Sequence, residues 1–356
     1  MRDGVGPGPA KHTVNPPQKA AHLKALAGRS YRVSQLAHDR DVSSIAFDAG
    51  APIPWATPLI TRMPETGVGT FRDASVIGAQ GYPVTRDGTL IIDAINVHNK
   101  IRSRRYARPV RLGPVHHLPG VTVNLGSLFA RGNYGHLVLD CVGRLGLMME
   151  AGLDVSRVDH VLIPPQTFPT VIEVLSRLGL GADKHVQLLA DSNLICETLI
   201  QTTFPGRPRN YSTGPSTVLR AVPVPEAGPH GRRLMILREG EKRSVANLEA
   251  VAALADEFDL ELFNPRDSAF AVADFARASM VVGAHGAALS DIAASPPGCT
   301  VVELLPSVHR YPYFASLALA GGHSYHALDC SSKSGERNAD FEVDVDALRR
   351  LLDRWG

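Results

Sequence analysis

The 356-residue sequence lacks the features that define several classes of protein. Its four cysteines are scattered and form no Cys-x-x-Cys pair, so we predict neither a zinc site nor a disulfide framework. It has no apolar run near the roughly 18 residues of a membrane span. Its N-terminal region also contains no apolar core of a signal peptide. We therefore expect a cytoplasmic protein with reduced thiols and without a transmembrane span.

A strong charge imbalance is also absent, because 37 Lys and Arg face 35 Asp and Glu, which gives a net charge of +2. This balance argues against a protein that binds nucleic acid through a basic surface. A local basic segment does lie between Lys100 and Arg111. We expect a solvated loop there. The alternative is a docking surface for an anionic or lipid-linked acceptor, which would bring the protein to the inner face of a membrane.

The composition is otherwise ordinary for a globular protein, at 44% hydrophobic residues, and the length suggests two domains. Strand-like and helix-like patterns alternate along the chain, which is typical of α/β proteins. We predict an α/β fold of two Rossmann-like domains that face each other across a cleft. The predicted parts are a disordered tail over 1–20, an N-terminal acceptor-side domain over 21–205, a C-terminal nucleotide-sugar-binding domain over 232–330, and a final segment with a helix over 331–356.

Residues 279–306 contain the most informative pattern of the chain. A β-branched run is broken by residues 283–286 (GAHG), and a helix start and a second strand carrying Glu303 follow. At the carboxyl edge of a parallel sheet, such a turn brings main-chain amides and a helix N-terminus to a phosphate group. We predict that His285 donates to that phosphate and that Glu303 accepts from ribose hydroxyls. The alternative is a structural turn with a hydrogen-bonded histidine.

The chain resembles glycosyltransferase family 61 over about residues 72–325. Three motifs support the resemblance: residues 132–140 (GNYGHLVLD); 236–238 (ILR) with Arg243 and Asn247; and 281–289 (VVGAHGAAL) with 297–298 (PG) and 301–304 (VVEL). The third motif is the most specific. The sequence departs from the family pattern at Leu137, Leu237 and Ser244, where Trp, Ser and Arg are usual. These departures concern the acceptor-side surface and some phosphate contacts.

The resemblance implies an enzyme of the GT-B type that transfers a sugar from a nucleotide donor. In an inverting enzyme one side chain deprotonates the acceptor hydroxyl. Asp140 is the predicted base, and His136, four residues earlier on the same helical face, orients it or is itself the base. Asn133 and Tyr134 are predicted to contact the acceptor or the sugar, although Asn133 could instead cap the helix.

On the donor side the resemblance implies a site for the nucleotide sugar. The residues predicted to bind it are Arg238, Arg243, Asn247, Gly283, His285, Gly286, Ala287 and Glu303. An arginine suits this role because its guanidinium matches phosphate oxygens bidentately. For Arg243 the alternative is a surface charge, and for Asn247 it is a polar position in a helix.

A metal could replace these cations if an Asp-x-Asp pair held it under the diphosphate. Two such strings occur, at residues 39–41 and 344–346, but neither follows an apolar strand. We therefore predict structural roles for both and no metal requirement. No cofactor is expected, since the nucleotide sugar, UDP-linked in our prediction, is a substrate.

The predicted function is an inverting, metal-independent hexosyl- or pentosyltransferase that acts on a glycan or glycoconjugate, as in surface or capsular polysaccharide synthesis. Two alternatives remain open. One is a nucleotide-sugar epimerase of similar architecture, and the other is a non-catalytic protein that binds sugar nucleotides or glycans. A dehydrogenase is disfavoured because no Gly-x-Gly-x-x-Gly follows a predicted strand.

Overall fold

The computed structural model describes residues 12–14, 17, 19–47, 53, 55–95, 110–226, 228, 230–238, 242–332 and 334–355. Most of the basic segment between Lys100 and Arg111 therefore lies outside the described residues. Among the helices that are described, none has both the length and the apolar character needed to cross a membrane.

Strands and short helices alternate along most of the chain, which confirms the α/β class. The strands are β1 (His12–Val14), β2 (Lys19–Ala21), β3 (Arg32–Gln35), β4 (His38–Asp39), β5 (Ile45–Phe47), β6 (Arg62–Met63), β7 (Thr66–Ile77), β8 (Tyr82–Val84), β9 (Thr89–Ile91), β10 (Val110–Leu112), β11 (His116–Asn124), β12 (His160–Ile163), β13 (His185–Gln187), β14 (Asn193–Thr202), β15 (Gly206–Arg207), β16 (Asn210–Tyr211), β17 (Arg232–Ile236), β18 (Glu261–Leu262), β19 (Ala278–Ala284), β20 (Thr300–Pro306), β21 (Ser324–Ser332) and β22 (Phe341–Glu342).

The helices fall between these strands. The α-helices are α1 (Leu23–Ala27), α2 (Thr57–Ile60), α3 (Tyr134–His136), α4 (Gly143–Glu150), α5 (Pro169–Arg177), α6 (Gly214–Ala221), α7 (Leu248–Glu257), α8 (Ala271–Phe275), α9 (Tyr313–Gly321) and α10 (Val345–Leu352). A π-helix, Leu137–Val142, joins α3 to α4. The 3₁₀ helices are Gly28–Ser30, Ile92–Ala94, Val155–Arg157, Ala182–Lys184 and Ala287–Ala294.

The chain divides into two compact units. Residues 1–36 and 65–208 belong to the first unit, and residues 37–64 and 209–356 belong to the second. The change of unit near 208 falls in the Pro- and Gly-rich stretch 204–231, which also contains α6.

The first unit is built on one nine-stranded sheet with the order β13-β12-β11-β14-β7-β8-β9-β2, and β3 also pairs with β7. Strands β13, β12, β11 and β14 are parallel, and their order in the chain is 3-2-1-4, as in one half of a Rossmann fold. The other half of the sheet is an antiparallel meander from β7 to β9. The first unit is therefore Rossmann-like only in its parallel half. A tight turn at Asp87-Gly88 joins β8 to β9, and Gly88 has a φ of 84° there.

Two short strands lie inside the region predicted to be a disordered tail, so that prediction is wrong for them. Strand β1 pairs antiparallel with β10, and β2 pairs parallel with β9 at the edge of the sheet. Lys19 and Ala20 in β2 are exposed. An edge strand that buries little has no apolar alternation, and the sequence therefore carries no pattern from which to predict it.

The second unit contains a parallel sheet with the order β18-β17-β19-β20-β21. In chain order this is 2-1-3-4-5, so the topological switch point lies between β17 and β19. Strand β5, from the early segment 37–64, adds parallel to β21. That segment was predicted to be part of the domain over 21–205. Its three-residue strand has no pattern that could indicate which sheet it joins.

The final segment is also part of the second unit's sheet and core. Strand β22 pairs antiparallel with β21, and Phe341, Leu348 and Leu351 are buried in the same apolar cluster as β17, β19 and α7. Asp344 caps α10 by accepting from the amide of Ala347 at 2.9 Å. The Asp-x-Asp string at 344–346 therefore begins a helix, as predicted.

Candidate active site

The first cluster of interest lies after the carboxyl end of β11 in the first unit. Asn133 precedes α3 and accepts a hydrogen bond from the amide of His136 at 3.3 Å, so the capping role considered for it is present. The helix then widens into the π-helix Leu137–Val142, which buries Asp140 completely. Inserted π-turns of this kind are frequent at functional sites.

His136 and Asp140 form a pair on one helical face, as their spacing predicted. His136 Nδ1 lies 2.9 Å from Asp140 Oδ2, and Ser127 donates to the same oxygen at 3.1 Å. The Asp140 side chain has no exposed area, whereas 20% of the His136 side chain is exposed. A buried carboxylate that already accepts these bonds is poorly placed to meet a substrate hydroxyl. The geometry favours His136 as the group that reaches the substrate and Asp140 as the group that orients it.

The surroundings of the pair set its charge. Burial alone would lower the pKa of His136, but the charge and hydrogen bond of Asp140 outweigh it and raise the pKa above its ordinary value. On the next turn, buried Arg144 donates to the carbonyl oxygen of Ala94 at 2.6 Å and to Thr202 Oγ1 at 3.2 Å. Burial lowers the pKa of Arg144, while the charges of Cys141 and Asp140 oppose that shift. Arg144 thus supplies a positive charge on the inner side of Asp140.

Aromatic rings lie beside this pair. The ring of Tyr134 meets Phe168 edge-on at 5.7 Å, and the ring of His136 lies 5.4 Å from Phe129. Tyr134 is half-buried and Asn133 is exposed. Their contact with an acceptor or a sugar stays a prediction.

The second cluster lies at the switch point of the second unit's sheet. Arg238 follows β17 and His285 follows β19, and Arg238 Nη1 donates to the carbonyl oxygen of His285 at 3.1 Å. A Cβ atom at Gly286 would come within 2.3 Å of Arg238 Nη1, so the glycine leaves room for the guanidinium. The 3₁₀ helix Ala287–Ala294 begins at the next residue, and Ala287 is exposed. The end of β19, Arg238 and the N-terminus of the helix Ala287–Ala294 therefore meet at the edge where parallel sheets bind their ligands.

Several positive charges gather at this edge. Arg243 has a left-handed backbone with a φ of 61° and donates to Asn338 Oδ1 at 3.4 Å. Burial, and then the charge of Arg266, lowers the pKa of Arg238. Burial, and then the charges of Arg238 and Arg337, lowers the pKa of Arg243. Cations that lower one another's pKa values are held together against repulsion, which is typical of a site for a multiply charged anion.

His309, Tyr311 and Arg337 extend this cluster and were not predicted from the sequence. Arg337 Nε donates to His309 Nδ1 at 3.3 Å, and the Tyr311 ring has the Arg209 guanidinium 4.4 Å from its centre. Burial, followed by the charges of the neighbouring His285 and arginines, lowers the pKa of His309 to about 3, so its ring is neutral. One signal was available: residues 307–313 directly follow the carboxyl end of β20, as Arg238 and His285 follow their own strands.

Glu303 has a different place from the one predicted for it. It is completely buried, with one carboxylate oxygen bonded to His285 Nδ1 and the other to the hydroxyl of Tyr325. The prediction that Glu303 binds the ribose is therefore wrong for this arrangement, because neither oxygen faces solvent. All seven residues of β20 are buried, so a carboxylate in the middle of the strand points into the protein.

Two further predicted nucleotide contacts have structural roles. The Asn247 side chain bonds both main-chain groups of Val343, at 2.8 and 3.0 Å, and so ties α7 to the segment before α10. Asn247 therefore has a structural role and not the predicted contact with the nucleotide. Gly283 lies inside β19, where a Cβ would come within 2.6 Å of Leu289, so close packing explains this glycine.

The fold and the second cluster together define an α/β protein with a group of cations at the carboxyl edge of a parallel sheet. The model of the family Glycosyltransferase 61 matches residues 134–302. This segment contains the π-helix, β17, β19 and Glu303. The predicted resemblance to that family is confirmed over this segment, which is somewhat less than half of the chain.

Two relatives are similar over shorter stretches. A beta-1,2-xylosyltransferase of Arabidopsis thaliana is 31% identical over 74 residues, which are 21% of this chain and 14% of the relative. Beta-1,2-xylosyltransferase RCN11 of Oryza sativa subsp. japonica is 38% identical over 52 residues, 15% of this chain and 10% of the relative. The chain thus matches only a small part of the length of these plant enzymes.

Proposed function

We propose that the protein is an inverting glycosyltransferase that moves a pentose from a UDP-linked donor to a hydroxyl group of a glycan or glycoconjugate. The observation that supports it best is the group of cations and the helix N-terminus at the switch point of the second unit. The family match supports the reaction class, and the names of the two relatives favour a pentose, with xylose first. The GT-B arrangement, a role in surface polysaccharide and a cytoplasmic location belong to the same proposal.

The leaving group determines what the second unit must supply. When the bond between the sugar and the diphosphate breaks, its electron pair stays on the diphosphate, whose negative charge grows. Arg238 and Arg243 would neutralise that charge, and the first amides of the helix Ala287–Ala294 would donate to it. Such a set of fixed donors could replace a metal ion, and on this basis we propose a metal-independent reaction.

The acceptor hydroxyl must lose its proton as its oxygen attacks the anomeric carbon. We assign this step to His136: its Nδ1 is bonded to Asp140, so Nε2 is the ring nitrogen that would take the proton. Asp140 fixes the tautomer and stabilises the imidazolium that forms. This reverses the roles first predicted for the two residues, for the reason that Asp140 is buried.

A panel of nucleotides tests the donor site first. UDP should raise the melting temperature more than GDP, ADP or CDP, and Arg238→Ala should remove most of that shift. Purified protein with UDP-xylose and xylose-acceptor glycans should then form a product of inverted anomeric configuration, detected by mass spectrometry and NMR, in the presence of a metal chelator.

The outcomes separate the alternatives. Interconversion of free UDP-sugars without an acceptor would mean an epimerase. UDP stabilisation without turnover of any UDP-sugar would mean a binding protein. Absence of stabilisation by every nucleotide would refute the proposed donor site.

A further inference from the structure

Three buried polar side chains form a chain behind the anion site of the second unit. His285 is 4% exposed, and Glu303 and Tyr325 are completely buried. They stand on the adjacent strands β19, β20 and β21 or at their ends. Isolated charges are costly to bury, so such a group persists only when each polar atom finds a partner.

Each oxygen of Glu303 has its own partner. One is bonded to His285 Nδ1 and the other to the Tyr325 hydroxyl. Burial, and then the charge and hydrogen bond of Glu303, raises the pKa of Tyr325 well above its ordinary value. The phenol therefore keeps its proton and donates it to the carboxylate. The carboxylate can only accept, so His285 must present Nδ1–H to it.

The other ring nitrogen of His285 faces a different environment. Nε2 makes no hydrogen bond to any residue within the described ranges, and it is not among their buried, unpartnered polar atoms. The ring meets His309 at 4.9 Å and Phe314 at 5.3 Å. The charges of Arg238, Arg243 and Arg337 act on the neighbouring His309, and Arg238 Nη1 also donates to the carbonyl oxygen of His285.

We propose that Glu303, supported by Tyr325, is a positioning residue that keeps His285 doubly protonated, so that Nε2–H donates a charge-assisted hydrogen bond to the diphosphate of the donor. The assignment rests on the proposed function for the identity of the ligand. It replaces the ribose contact predicted for Glu303 with an action through His285. It also gives a reason for a carboxylate in the centre of a buried strand.

The protonation of His285 can be measured without any ligand. In ¹⁵N-histidine-labelled protein, with His285→Asn used for assignment, both ring nitrogens of His285 should carry protons at neutral pH. In Glu303→Gln the loss of the Nε2 proton should move to lower pH. In Tyr325→Phe it should move to higher pH, because the carboxylate loses a donor and attracts the imidazolium more strongly.

These opposite shifts distinguish positioning from packing, since a structural role would move neither or both alike. A His285 that carries one ring proton at that pH in the unaltered protein refutes the inference, even if neither variant folds. An unchanged His285 titration in folded Glu303→Gln refutes it as well. His326→Asn, a half-buried histidine of β21, serves as the control that should leave the signal of His285 in place.

Ligand binding completes the test, with inorganic pyrophosphate and UDP as probes in isothermal titration calorimetry. Loss of one charge-assisted hydrogen bond should weaken both probes about tenfold in Glu303→Gln at neutral pH, with recovery toward lower pH. Unaltered affinity at every pH in that variant would overturn the inference while the proposed function stands. If the unaltered protein binds neither probe but the NMR shifts occur, the proposed function fails and the positioning role stands.

Discussion

Replacement of Gly286 by alanine should separate nucleotide binding from stability. The added Cβ would lie 2.3 Å from Arg238 Nη1 and 3.3 Å from its Cζ. Gly286 has a φ of 179°, an extended backbone that any residue adopts, so the change introduces no backbone strain. The added methyl group clashes only with the end of the flexible Arg238 side chain, which can move away.

The size of the effect follows from that distance. Ordinary contact begins near 3.4 Å, so the guanidinium must withdraw by about 1 Å, enough to break a hydrogen bond of normal length. Hydrogen bonds to charged groups contribute about 1.5–3 kcal/mol. Their complete loss corresponds to a rise in Kd of about 10- to 150-fold. The free energy of unfolding should change by less than about 1 kcal/mol.

The assay is a double-mutant cycle on UDP affinity, with thermal unfolding measured in parallel. If Gly286→Ala acts through Arg238, it should cost nothing further once Arg238→Ala is present. Gly298→Ala is the matched control, because Gly298 has a φ of 86° and no atom within 4 Å of an added Cβ. That variant should lose about 1–2 kcal/mol of stability through backbone strain and keep its affinity for UDP.

Two results would refute this reasoning. Additive losses in the cycle would show that Gly286 acts independently of Arg238. Unaltered affinity in the single variant would show that the guanidinium, where the structure has it, does not contribute to the nucleotide site.

Three other predictions concern the base, a structural contact and acid stability. His136→Ala should lower kcat by about 10²–10⁴-fold while UDP affinity changes little. Asp140→Asn should move the acidic limb of the pH–rate profile to lower pH, because Asp140 raises the pKa of His136, which acts as a base in its unprotonated form. An unmoved limb would refute this assignment. Asn247→Ala should cost about 1–3 kcal/mol of stability through its lost bonds to Val343, and a lower UDP affinity at full stability would contradict that role. Burial, and then the charge of Arg220, lowers the pKa of His323 to about 4. The unfolded chain therefore binds the extra proton first, and stability should fall with pH below about 6.5. His323→Gln should flatten that slope in denaturant titrations, and an unchanged slope would contradict it.

Local patterns in the sequence were enough to predict the parts of the site that depend on neighbouring residues. The four-residue spacing of His136 and Asp140 placed them on one helical face, and the residue types at 133 and 344 indicated helix caps. Residues 280–282, and the glycines after them, indicated a strand followed by a turn and a helix start, and β19 and the helix Ala287–Ala294 confirm these elements.

What the sequence could not predict depends on contacts between distant residues. In β20 every position is buried, so alternation gives no sign of the side to which Glu303 points. The partners of Asn247, the placement of β5 beside β21 and the approach of Arg337 to His309 join segments far apart in the chain. The π-helix that buries Asp140 was also unforeseen, and it is the reason why we propose His136 and not Asp140 as the base.

The histidine–carboxylate pairs His136–Asp140 and His285–Glu303 differ in the group that lies beside the carboxylate. Behind Asp140 the buried cation Arg144 offsets part of its charge, so His136 is oriented but still able to give up a proton and act as a base. Behind Glu303 stands the neutral hydroxyl of Tyr325, which leaves the negative charge to act on His285. The same pair of side chains would thus supply a base in one unit and a donor in the other, because pairs in unlike surroundings are driven to unlike protonation states.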